Sequence, residues 1–141
     1  AFLAMYFADQ AVVVVTPEVS SVRDSDRIIG LLASKPRRAA AGDPIRSHLL
    51  LTRYNPRLVG DGEMLSVADV EDVLGLKTVG VIPESGDVLN ASNKGEPVIL
   101  DMESEAGQAY DDAVARIIGE ERPMRFVQLE KKGFFSKLFG G

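Results

Sequence analysis

Short branched apolar runs alternate along this chain with segments that open on a serine and carry apolar residues at helical spacing. That alternation is what most narrows the fold. Residues 12–15 are four valines in a row, the mark of a strand buried on both faces of a sheet. The helix expected next starts near Ser20 or Ser21, where Ser21 and Asp24 have capping-box spacing, and carries Val22, Ile28, Ile29 and Leu32. Pro36 and the small and polar residues up to Pro44 end it. Residues 48–52 read as a second strand, with a long loop over 53–64, and Ser66 with Asp69 caps a short helix bearing Val67, Val70, Val73 and Leu74. Residues 78–82 read as a third strand closed by Pro83, followed by a helix around 87–93 and an extended stretch over 97–100. A last helix starts at Ser104 and carries Ala106, Ala109, Tyr110, Ala113, Val114 and Ile117. Such alternation calls for a parallel sheet with helices on both faces, an α/β fold. Ligands of these sheets bind beyond the carboxyl ends of the strands, an edge shared here by the loops 16–20, 53–64 and 83–87. Three strands are few for a doubly wound domain, and the chain opens mid-element without Met, so it reads as part of a longer one.

With 141 residues, 45% hydrophobic and 26% charged, the chain can bury one sizeable core and is too apolar for global disorder. It has no Cys, which excludes disulfide frameworks, Cys-containing metal sites and thiol chemistry. His48, its one imidazole, reads as a strand residue without a catalytic role. Asp87, Asp111 and Asp112 read as surface groups, with no second carboxylate spaced for acid–base work. No stretch approaches the ~20 apolar residues that cross a bilayer. The apolar opening, residues 1–7, lacks the basic flank of a signal peptide. Of 13 glycines none is followed by Lys, so the chain has no P-loop with which to cradle a triphosphate.

Charge divides the chain unevenly. Residues 122–141 hold five cations and one anion, and residues 1–121 hold 11 cations and 20 anions. An acidic body is a poor electrostatic partner for nucleic acid, so none is expected; a basic tail points to an anionic membrane lipid surface or an acidic protein. Wound as a helix, Phe134, Phe135, Leu138 and Phe139 span about 140°. Lys132 and Lys137 flank that stripe, while Lys131 falls inside it, so the helix starts after Lys131 or the Lys131 stem snorkels. This is the pattern of a short basic amphipathic anchor at the lipid interface; a terminal helix docked on its own domain is the other reading. One copy holds a membrane weakly, and two copies on a dimer gain ~10²–10⁴ in avidity.

Five strings carry a resemblance to a known family: Thr16-Pro17-Glu18-Val19-Ser20-Ser21-Val22-Arg23-Asp24-Ser25-Asp26-Arg27, Leu50-Leu51-Thr52-Arg53-Tyr54-Asn55-Pro56, Val79-Gly80-Val81-Ile82-Pro83-Glu84, Ala91-Ser92-Asn93-Lys94-Gly95-Glu96-Pro97-Val98, and Lys131-Lys132-Gly133-Phe134-Phe135-Ser136-Lys137-Leu138-Phe139-Gly140-Gly141. In order, and over essentially the whole chain, they resemble the carboxyl-terminal half of the MinD-type septum-site-determining ATPases of the deviant Walker A (ParA/MinD) group.

The resemblance implies part of a doubly wound, mostly parallel sheet of the P-loop NTPase type. Residues 1–121 would be the second half of the ATPase domain, 122–130 a linker and 131–141 the membrane-targeting helix. The half with the deviant P-loop, the switch regions and the magnesium-holding aspartate is expected before Ala1, so this piece alone is expected to be inactive, with no catalytic residue and no metal ligand. The cofactor implied is ATP with Mg. Its base would be read by Thr52 and Arg53 on one side and by Ile82, Pro83 and Glu84 on the other. Glu18 would reach towards the partner's nucleotide in an ATP-bound homodimer; a carboxylate favoured by the helix dipole is the alternative. Arg23, Asp24 and Asp26 would lie near contacts for MinC or MinE, or form a plain solvated face. The implied role is a cytoplasmic regulator of division-site placement, peripheral on the inner face of the cell membrane, that recruits MinC and is released by MinE-stimulated hydrolysis. A non-catalytic membrane-binding module and a ParA-like partitioning ATPase remain as alternatives.

Overall fold

Three parallel strands, β1 (Gln10–Val15), β2 (Arg46–Tyr54) and β3 (Thr78–Pro83), lie in that order in one sheet. They belong to a computed structural model that describes residues 2–34, 41–43 and 45–128. The helices are α1 (Phe2–Phe7), α2 (Val19–Ser34), α3 (Pro56–Gly60), α4 (Val67–Leu74), α5 (Gly86–Lys94) and α6 (Glu105–Ile117), with a 3₁₀ turn at Val98–Leu100. The α/β class and the parallel sheet expected from the alternation are what the chain adopts.

Side chains alternate across the sheet with the period of two that a strand imposes. Val13, Val15, Leu49, Leu51 and Val81 share one core with Val22 and Leu32 of α2 and Val70 and Leu74 of α4. Leu50 and Ile82 face the other way, against Ala106, Ala109 and Ala113 of α6. The central strand β2 is thus buried on both faces, as a parallel strand should be.

β1 is not. Val12 is 45% and Val14 58% exposed, so the valine run is buried on one face only. The reason is positional. α6 packs on β3, and among the described residues nothing covers the part of that face that β1 supplies.

Four further expectations are corrected. α2 starts at Val19, before the supposed capping box, with Val22 N–H already bonded to the Glu18 carbonyl. The Ser21 hydroxyl accepts instead from the Thr16 N–H at 3.2 Å. The loop 53–64 contains α3, because Asn55 caps Arg57 and Leu58 through its side-chain oxygen and Pro56 fits the first helical position. Residues 98–100 form a 3₁₀ turn rather than an extended stretch. Asp112 is buried, 3% exposed, and ion-paired to arginines.

The cap at Ser66 has the expected form. Its hydroxyl accepts from Asp69 N–H at 3.1 Å, and the Asp69 carboxylate accepts from Ser66 N–H at 2.9 Å. Ser66→Ala should cost about 1 kcal/mol in urea unfolding. The hydrogen bond from the Ser66 side chain, then that from its backbone, hold the Asp69 carboxyl below its ordinary value. A depressed folded value means the contribution is present above the ordinary Asp range and fades as pH falls through that value. The wild-type advantage over Ser66→Ala should therefore shrink on acidification.

Two glycines let α6 lie close. A Cβ on Gly80 of β3 would stand 2.5 Å from the Ala113 Cβ and 2.8 Å from Leu50 Cδ1. A Cβ on Gly107 would meet the backbone carbonyls of Asp101 and Val98. Ser104 ties the same turn, accepting from Gly107 N–H and donating to the Asp101 carbonyl.

Candidate functional site

The strand ends at the carboxyl edge are fixed before any ligand is considered. Leu51 pairs with Val81 and Tyr54 with Pro83, so β2 has one residue more than β3 between these pairs, a bulge at Thr52 and Arg53. Arg53 takes up the irregularity in the left-handed region, φ 55°, which is uncommon for a residue with a side chain and points to local strain. The Tyr54 carbonyl accepts from Glu84 N–H at 2.9 Å and pins the two strand ends together. The loop after β1 joins the same edge, with Leu65 N–H donating to the Pro17 carbonyl at 3.1 Å.

Beyond β2 and β3, on the α6 side of the sheet, lies a cavity of about 420 Å³. Thr52, Arg53, Ile82, Pro83 and Glu84 all line it. Its remaining wall comes from Ser85, Val88, Leu89 and Ser92 at α5 and from Tyr110 of α6. Ile82 and Pro83 are buried, and Arg53 and Glu84 meet at 3.4 Å as an exposed ion pair. Serine spacing could have revealed part of this wall. Ser85 caps α5 by accepting from Asp87 N–H, and Val88 and Ser92 then fall four residues apart on one helix face. Tyr110 gave no such signal, because its spacing matched a core stripe.

The cavity suits a flat, mostly apolar ring with a hydrogen-bonding edge. Ile82, Val88, Leu89 and the Pro83 ring supply apolar surface, Thr52 and Ser92 supply hydroxyls, and Pro83 brings a carbonyl with no N–H of its own. Its one cation, Arg53, is engaged with Glu84, so the chain's residues fit a base and not the phosphates behind it. Among the described residues no three acidic or histidine side chains gather as a metal site.

The other anticipated residues lie elsewhere. Glu18 is exposed just before α2, and Arg23, Asp24 and Asp26 are exposed along it, on the helix that packs across the opposite face from α6. His48 sits on β2, its Nε2 3.1 Å from Gln10 Oε1 on β1. Lys131, Lys132, Phe134, Phe135, Lys137, Leu138 and Phe139 lie outside the described residues. No helix among the described residues is long and apolar enough to cross a membrane.

No family model matches the chain. It is 63% identical, over 142 aligned positions, to the septum site-determining protein MinD of Escherichia coli (strain K12), covering 100% of this chain and 53% of that protein. The chain thus spans about half the length of the curated relatives it matches. The solved MinD cell division protein of Aquifex aeolicus superimposes with a TM-score of 0.77 at 39% identity, over 87% of this chain and 49% of that one. The MinC:MinD complex from the same organism gives 0.74 at 38% identity, over 86% and 47%.

Proposed function

We propose that this chain, a member of the MinD family of septum site-determining proteins, supplies the base-reading and membrane-attaching part of an ATPase that regulates division-site placement. The observation that carries the reading is the gathering of Thr52, Arg53, Ile82, Pro83 and Glu84 around one cavity at the carboxyl edge. In this reading Pro83 and Ile82 contact the purine of ATP, Thr52 offers it a hydroxyl, and the Arg53–Glu84 pair borders the mouth. The phosphates and Mg are held by a P-loop and an aspartate from the other half of the ATPase. Residues 1–121 are the body, 122–130 connect it to the anchor, and 131–141 attach it to anionic lipid on the inner face of the cell membrane.

Glu18 reaches towards the nucleotide of a second copy in the ATP-bound dimer, and α2 with Arg23, Asp24 and Asp26 offers the face for MinC or MinE. The solved MinC:MinD assembly of a related protein favours MinC among these partners. Doubling the anchor on dimerisation then couples nucleotide state to membrane residence through avidity.

The test joins this chain to a P-loop half from a MinD relative and measures phosphate release with MinE and phosphatidylglycerol vesicles. Stimulated release is expected; none overturns the ATPase reading. In the same protein, Ser92→Trp should fill part of the cavity and weaken binding of a fluorescent adenine nucleotide by about tenfold, ~1.4 kcal/mol. Because Ser92 is exposed, stability should shift by no more than ~0.5 kcal/mol.

A further inference from the structure

After α6 the chain does not run away from the body. Gly119, at φ 98°, turns it, and Glu120 N–H closes on the Ala115 carbonyl at 2.9 Å. Arg116 then grips the returning segment, donating to the carbonyls of Arg122 and Pro123. The same guanidinium donates at 2.8 Å to the Val79 carbonyl, where β3 carries one residue more than β2 in the pairing from Leu49–Thr78 to Leu50–Gly80. Further on, Arg125 Nε donates to Asp112 Oδ2 at 2.7 Å and Nη1 to Gln108 Oε1 at 2.8 Å. Arg122 reaches the other Asp112 oxygen at 3.7 Å. Phe126 packs against the core under α6 with the Arg125 guanidinium over its ring, 5.4 Å from the centroid.

The direction of travel can be read from these partners. Residues 122 and 123 meet Arg116, and residue 125 meets Asp112 and Gln108. The segment therefore climbs back along α6 by about two turns, towards the end that carries Tyr110 and the cavity. Its charges are arranged to stay there. The Asp112 carboxylate is almost wholly buried, and removing its arginines would leave an unpaired charge inside the protein.

From this we infer that residues 122–126 form a strap, locked by Asp112 and Arg116, that fixes where the carboxyl-terminal segment leaves the body. The strap itself stands on the contacts above; its consequence for lipid rests on the anchor reading under Proposed function. With the strap closed and Val127 packed against the core under α2 and α4, the path from Val127 to Lys131 is about four residues; opened back to Glu120, with Val127 released as well, it is about eleven. Effective concentration falls with roughly the −3/2 power of tether length, so the second anchor of a dimer would engage about fivefold less well. Asp112 and Arg116 are positioning residues for membrane attachment.

Limited trypsin digestion of the full chain reads the strap directly. The Arg122–Pro123 bond resists trypsin because proline follows, so the reporter is Arg125–Phe126, with Lys94–Gly95, at the exposed end of α5, as internal reference. The wild-type reporter bond should be cut at least about tenfold more slowly than the reference. Asp112→Asn should remove that protection, and Asp112→Glu, which keeps the carboxylate, should restore most of it. If Asp112→Asn also speeds the reference cut, its body has unfolded, and Arg116→Gln, which buries no charge, decides instead. A reporter bond as labile as the reference in the wild type, or unchanged in the deciding variant, overturns the strap.

Flotation with vesicles of equal parts phosphatidylglycerol and phosphatidylcholine then tests the consequence in the ATP-loaded protein joined to a P-loop half. About fivefold weaker binding by the strap variant supports it, and unchanged binding overturns it. If deleting residues 131–141 leaves flotation intact, the anchor reading fails while the proteolysis result stands.

Discussion

Replacing Gly107 with alanine should cost the fold about 3 kcal/mol, measured as a fall in the urea midpoint at constant slope. The cause is backbone against Cβ. The new methyl would collide with the Asp101 carbonyl oxygen and stand 2.8 Å from that of Val98, atoms that cannot rotate aside. The turn they belong to is held by the Ser104 hydroxyl and by Asp101 N–H bonded to the Val98 carbonyl at 3.0 Å. Relief requires moving the 3₁₀ turn or lifting α6 off β3, and the second loses the contacts of Ala106, Ala109 and Ala113 with Ile82 and Leu50. The same chemical change at Gly30 makes the control. That glycine lies inside α2 with nothing within 4 Å of its Cβ position, so Gly30→Ala should stabilise by ~0.5–1 kcal/mol. Opposite signs are the expected outcome; a neutral or stabilising Gly107→Ala would mean that the packing of α6 is not what Gly107 serves.

Changing Phe135 to Glu should abolish flotation with phosphatidylglycerol vesicles in the ATP-loaded protein joined to a P-loop half. A buried Phe contributes ~1.5–3 kcal/mol at the interface, and a carboxylate in its place is repelled by the anionic leaflet. Loss of about 3 kcal/mol per copy is roughly a hundredfold in affinity, and a dimer suffers it twice. Lys137→Gln should cost less, ~1 kcal/mol, and its effect should vanish at high salt where the charges of the leaflet are screened. Retained flotation in Phe135→Glu would remove the anchor from the account.

Features that depend on near neighbours were legible in the sequence. The Ser66–Asp69 box, Ser104 before α6 and the stop at Pro83 each involve residues within four positions, and each has the expected form. That the loops after β1, β2 and β3 share one edge follows from the rule that parallel strands end on one side, whereas Thr52, Arg53, Ile82, Pro83 and Glu84 were singled out by the family resemblance, and the five line one cavity. What was hidden depends on distant partners. Four valines in a row give no sign of whether a helix covers both sides, and here only Val13 and Val15 are covered. Asp112 carries the same local pattern as Asp111, and only the returning Arg122 and Arg125 make it a buried charge. Ser21 had the spacing of a cap, but the Thr16 N–H claimed its hydroxyl first. The short helix after Asn55 is hard to read from sequence for a plainer reason, since an Asn-Pro pair also starts turns.

The half-bare first strand bears on how the chain behaves once it is made. Val12 and Val14 stand open beside an apolar hollow of about 400 Å³ that also draws on Ala4, Met5 and Ile28, and among the described residues no neighbour pairs with the outer backbone of β1. An edge strand whose outer amide and carbonyl groups meet no neighbouring strand is a template for growth by strand addition. Purified by itself at high concentration, this polypeptide should cluster or precipitate sooner than its acidic body would suggest. Lysine at Val14 should slow that clustering while the inward valines keep the core closed.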